Sequence, residues 1–129
     1  MIKAIFKRDK DNFIYSLKVT GHSESRDYSI ICSLFLKLAA LFSCKLFEEK
    51  NIVCSGVSAL TQMVVMGVGD IIGEDFVVEM KSGLVSFEIP ELHIRDEKIQ
   101  ILLESLEESF RRINLKYGES IIIGSEKDG

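Results

Sequence analysis

The chain has 129 residues, of which 47% are apolar and 28% charged, with a formal net charge of -4. Those values describe one ordinary globular domain, 1–129, and exclude wholesale disorder. Nucleic-acid partners usually select a basic surface, because neutralised phosphates supply most non-specific affinity, so the acidic balance argues against direct nucleic-acid binding.

Residues Ile2 to Lys7 alternate enough to predict a strand, and "RDKDN" supplies a turn. Phe13, Tyr15, Leu17 and Val19 then fall on one face of a second strand, giving an antiparallel hairpin that ends at Gly21. The polar stretch "SESRD" follows. Ile31, Leu34, Leu38, Leu41 and Phe42 recur at threes and fours and predict an apolar helix over Ile31 to Phe47. The segment from Tyr28 to Phe47 is barely long enough to span a bilayer and carries two lysines and three serines, so membrane contact is not expected. "EEKN" breaks the run, and a helix is expected at about 54–69, starting at Cys54 and closing near Gly67 and Gly69.

Two strands come next, Phe76 to Met80 and Leu84 to Ile89, joined by a tight turn at "KSG" in which Gly83 takes positive φ. Pro90 ends the second. A helix at about 97–116 is capped by Asp96, lined by Ile99, Leu102, Leu103, Leu106, Phe110 and Ile113, and stopped by Gly118. "ESIIIG" reads as a last short strand and "SEKDG" as a frayed tail. The order β-β-(α)-α-β-β-α-β predicts an α+β fold: a small sheet of mostly antiparallel strands, two main helices packed on it, and an inserted apolar helix.

Chemistry-bearing residues are few. The cysteines at 32, 44 and 54 fit no metal or disulfide framework, and with no signal peptide they favour a reducing cytoplasm. Cys32 and Cys44 read as apolar fillers. Cys54 is different, because a thiol at a helix start meets unpaired backbone N–H groups and the positive helix end, which raise its thiolate fraction. His22, just after Gly21 at a strand end, is the candidate to share its proton. The N–H groups near Ser55 and Gly56 are candidate oxyanion donors. A buried, inert thiol is the rival reading. His93 reads as structural. No cofactor or metal is expected.

"VTGHS" and "NIVCSGVSAL" together resemble the paired motifs of the ribosomal-processing cysteine protease family, Prp or YsxB-like. The resemblance extends over "MIKAIFKRD", the hairpin "VEMKSGLVSFEI" and the final helix and strand. It implies a homodimeric cytoplasmic endopeptidase that removes the N-terminal extension of ribosomal protein bL27, an extension ending in an apolar stretch with paired phenylalanines followed by alanine. By motif match the catalytic pair falls on Cys54 and His22, the glycine before the histidine on Gly21, and a serine one helical turn after the cysteine on Ser58. This chain departs from the pattern twice. Asn51 stands where the family has aspartate. Thirty-one residues separate His22 from Cys54, against roughly a dozen in the family. The extra material, 24–50, reads as an insert or lid. The alternative reading is a non-catalytic ribosome-associated or peptide-binding protein of the same fold.

Overall fold

The structure, a computed structural model, describes residues 1–21 and 49–128, and of Glu49, Lys50 and Asn51 it describes the backbone. The helix expected at Ile31 to Phe47, the 24–50 insert, His22, Cys32, Cys44 and the Asn51 side chain therefore lie outside the described residues.

Among the described residues five strands form one sheet, in the order β3 (Val78–Lys81), β4 (Leu84–Glu88), β2 (Ile14–Thr20), β1 (Ile2–Arg8) and β5 (Ile121–Lys127). β1 (Ile2–Arg8) and β2 (Ile14–Thr20) make the expected hairpin. Its turn is closed by the Asp9 carboxylate, which accepts from the N–H groups of Asp11 and Phe13 at 2.9 Å, with Asn12 at φ 72°. β3 (Val78–Lys81) and β4 (Leu84–Glu88) make the second hairpin, with Gly83 at φ 76° as expected. β5 (Ile121–Lys127) pairs with β1 in parallel, the one parallel pair among the described residues, where the other pairs are antiparallel. Two helices, α1 (Glu49–Ile72) and α2 (Glu97–Tyr117), pack against each other and on the sheet, giving the α+β architecture expected.

The core lies between the sheet and these helices. Ala4, Phe6, Leu17 and Val19 come from the central strands, Val57, Val64 and Val68 from α1, and Ile99, Leu103 and Phe110 from α2. Each is buried at helical or alternating spacing, as one-sided elements require. Phe6 and Phe110 pack with ring centroids 6.2 Å apart across the sheet–helix interface. The stretch Ile52–Asp75 is long and apolar enough to cross a membrane by length and composition, and Val53, Val57, Val64 and Val68 within it are buried in the core.

Several boundaries differ from the sequence reading for identifiable reasons. In β2 the buried apolar residues are Ile14, Leu17 and Val19, not Phe13 and Tyr15, because an extra residue in β2 opposite Lys7/Arg8 shifts the register and flips the faces. Gln100 of α2 holds the displaced backbone: its Oε1 accepts from Ile14 N–H at 2.9 Å and its Nε2 donates to Ile14 O at 2.8 Å. α1 does not close at Gly67 or Gly69 but runs to Ile72, and Gly73 with φ 81° follows it. Gly67 is a packing glycine, since a Cβ there would lie 2.9 Å from Leu102 Cδ1 of α2. Of "EEKN", Glu49, Lys50 and Asn51 belong to α1, and Glu48 lies outside the described residues. The supposed tail is strand: Ser125, Glu126 and Lys127 pair with Phe6, Lys7 and Arg8. Asp128 N–H then donates to Arg8 O at 2.9 Å.

One ionic cluster joins the end of β1 to α2. Arg8, 8% exposed, donates to Glu104 Oε1 at 2.7 Å and to Glu107 Oε1 at 3.2 Å, and Arg111 approaches the same Glu107 oxygen at 2.8 Å. The hydrogen bond to Glu104 holds the Arg8 pKa above its ordinary value against the opposing effect of burial. Two anions around a nearly buried guanidinium are what a desolvated charge needs.

Candidate active site

Cys54 is the one free thiol among the described residues, and it is half-buried against the core on α1. Helical spacing sets its neighbours. Ser58, one turn later, shares its side of the helix and is buried at 5% exposure, so the serine matched to the family motif does lie alongside the thiol. Gly56, two residues on, projects to the other side, and a Cβ there would meet nothing within 4 Å among the described residues. Thr61 is also buried and donates to Val57 O at 2.6 Å, a bond within the helix.

The position of Cys54 in its helix corrects the sequence reading. A helix starting at Cys54 would have put the thiol among unpaired N–H groups. α1 starts no later than Glu49, so Cys54 lies beyond the first turn. There the N–H groups of Cys54, Ser55 and Gly56 bond to carbonyls four residues back in the helix ladder. Expecting Ser55 and Gly56 to offer free oxyanion donors therefore loses its basis, and proximity to the helix end gives the thiol less help than anticipated.

Gly21 sits where β2 ends. Its φ is 79°, and an L-side-chain Cβ would lie 2.2 Å from the Met1 carbonyl oxygen. Its N–H donates to Gly83 O at 3.0 Å. Glycine is thus required for the backbone turn that leads directly into His22, which gives the glycine before the histidine a structural reason. Whether the His22 ring meets the Cys54 sulfur falls outside the described residues, as does any contact of the Asn51 side chain. His93 lies in the short 3-10 turn Glu91–His93 after Pro90, where its N–H donates to Pro90 O at 2.8 Å.

A cleft of about 680 Å³ opens beside the β1–β2 turn, lined among others by Asp9, Tyr15, Glu91, Arg95 and Asp128. Cys54 does not line it. Within it the Tyr15 hydroxyl donates to Asp128 at 2.5 Å, and that bond pushes the phenol pKa up to about 12.

The family model described as cysteine protease Prp matches residues 45–122, more than half of the chain. The chain belongs to the cysteine protease Prp family. It is accordingly a cysteine peptidase, and the matched span contains Cys54 but not His22. Among solved structures the chain is similar to SMU.848 from Streptococcus mutans, with 22% identity, coverage of 99% of this chain and 96% of that one, and a TM-score of 0.66. It is also similar to the essential ribosomal processing protease Prp from S. aureus in complex with a substrate peptide. There the identity is 16%, the coverage 98% and 100%, and the TM-score 0.68. The same S. aureus protease with a covalently linked product peptide gives 16% identity, the same coverage and a TM-score of 0.67. These likenesses support the fold. No curated protein matches the chain.

Proposed function

We propose that this Prp-family peptidase removes the N-terminal extension of ribosomal protein bL27, using Cys54 as nucleophile and His22 as its proton partner. The observation that carries the reading is the family match across Cys54. It is supported by the S. aureus relative of the same fold, described as a ribosomal processing protease and solved with a substrate peptide and with a covalently linked product peptide.

The Cys54 thiolate attacks the scissile carbonyl carbon. The tetrahedral intermediate collapses as His22 protonates the leaving amine, leaving an acyl-enzyme on sulfur. His22 then takes a proton from water, whose oxygen attacks the thioester, and the thiol is regenerated as the new carboxylate leaves. With the helix start lying before Cys54, activation of the thiol falls mainly to the imidazole, so loss of His22 should abolish turnover. Asn51 can orient groups by hydrogen bonding but supplies no charge to an imidazolium.

The test is mass spectrometry of a bL27 precursor from the same organism, incubated with the protein and with its Cys54→Ala and His22→Ala variants. Cleavage at one bond by the parent and by neither variant is expected. An intact precursor with the parent protein would overturn the substrate assignment, and cleavage by Cys54→Ala would overturn the nucleophile. We further propose a cytoplasmic homodimer. Light scattering at micromolar concentration should give twice the chain mass, and a monomer there removes that part of the proposal.

A further inference from the structure

β2 lies between β4 and β1, and its last residue, Thr20, pairs with Leu84 on one side and Lys3 on the other. The next residue, Gly21, is gripped from both sides. On the β4 side its N–H donates to Gly83 O at 3.0 Å, adding one rung to the ladder beyond the strand. On the β1 side it lies so close to the Met1 carbonyl that no side chain fits. Gly21 and Gly83 both hold positive φ, 79° and 76°. The Gly83 carbonyl faces β2 because the Ser82–Gly83 turn adopts this left-handed step. A residue barred from positive φ would rotate that carbonyl away.

We infer that Gly83 is a positioning residue for catalysis: its carbonyl fixes the Gly21 amide, the last described one before His22, and so sets the direction in which the chain leaves β2. The inference rests on the reading of His22 as the proton partner of Cys54. Consecutive Cα atoms are about 3.8 Å apart, so a change of direction at Gly21 displaces His22 with little attenuation. Misplacing a catalytic group by about 1 Å costs up to roughly a hundredfold in rate. The hairpin tip thus matters to the reaction without supplying a side chain to it.

Two variants at one position separate this role from plain stability. Asparagine tolerates positive φ, whereas valine does not. Gly83→Val should lower kcat by about ten- to a hundredfold with KM changed by less than about twofold, and Gly83→Asn should restore most of that loss. The second readout needs no substrate. The pH profile of Cys54 alkylation by iodoacetamide should move in Gly83→Val toward the His22→Ala profile, and should stay at the parent profile in Gly83→Asn. Should Gly83→Val fail to fold, replacing Gly21 by glycolic acid deletes the N–H donor and leaves every side chain in place, and the same shift is expected. A folded Gly83→Val or glycolate protein with parent kcat and parent alkylation profile overturns the inference. Equal losses in Gly83→Val and Gly83→Asn overturn it also. A His22→Ala protein with the parent alkylation profile and activity overturns instead the dyad on which it rests.

Discussion

Replacing Gly21 by alanine perturbs the fold at a point where two costs add. The first is conformational: holding an L-residue at φ 79° costs about 1–2 kcal/mol. The second is steric. The new Cβ would stand 2.2 Å from Met1 O, 3.1 Å from Met1 C and 3.4 Å from Ile2 Cα, all backbone atoms. Relief requires a shift on the order of 1 Å, either of Met1 or of the Gly21 turn. Ile2 is held in the sheet opposite Ile121, and Gly21 N–H is held by Gly83, so either movement strains one hydrogen bond, at about 1 kcal/mol. The sum is about 2–3 kcal/mol, to be read from the urea midpoint at unchanged m-value. In a chain of this size that is a fall in Tm of roughly 6–15 °C. A loss under about 0.5 kcal/mol, the usual range for an indifferent surface site, would mean that neither the left-handed conformation nor the contact with Met1 persists in solution.

At Gly56 the same substitution should act in the opposite sense: it lies inside α1 with no described residue within reach of an added Cβ, so Gly56→Ala should stabilise by about 0.5–1 kcal/mol in the same urea titration. A destabilisation there would show that something packs against the glycine. Arg8→Ala leaves Glu107 buried with Arg111 as its remaining cation and should cost about 2–4 kcal/mol, discounted for the half-exposed Glu104; a cost below about 0.5 kcal/mol would place the cluster in water. The Tyr15 phenol should titrate near 12 rather than its ordinary 10 in an ultraviolet titration, and Asp128→Asn should bring it back toward 10. Because the folded pKa is the higher one, the unfolded chain loses its proton first, and this contact's stability is lost as pH rises from 10 toward 12. A Tyr15 transition at 10 in the parent protein would refute the bond to Asp128.

Local pattern carried much of the fold. Asp96 caps α2, with its carboxylate accepting from Lys98 and Ile99 N–H, and Ile99, Leu103, Leu106 and Phe110 form its buried face. Gly83 takes the positive φ expected of it, and Gly118 ends α2 as expected. Tertiary context decided what pattern could not. The β2 bulge depends on Gln100, eighty-six positions away along the chain, which replaces a strand partner for Ile14. Gly67 marks a helix crossing, a distinction that needs Leu102 in view. The tail "SEK" looks polar and loose alone, yet strand pairing to β1 holds it, and Tyr15 and Arg8 fasten the residue after it. At the site, the motifs made Cys54, Gly21 and Ser58 legible, and the structure gives Gly21 a geometric reason and sets Ser58 beside the thiol. The helix start was misplaced because Glu49, Lys50 and Asn51 look like a polar break, whereas polar residues suit a helix's first turn as well as a loop.

A crystal structure of the protein inactivated by a peptide chloromethyl ketone would show whether His22 and Cys54 meet. A covalent bond from Cys54 Sγ to the inhibitor is expected, with a His22 ring nitrogen within about 3.5 Å of that sulfur or of the group it has attacked, a hydrogen-bonding distance slightly loosened for sulfur. A His22 ring directed away from the adduct, or an adduct on Cys32 or Cys44 with Cys54 untouched, would contradict the dyad.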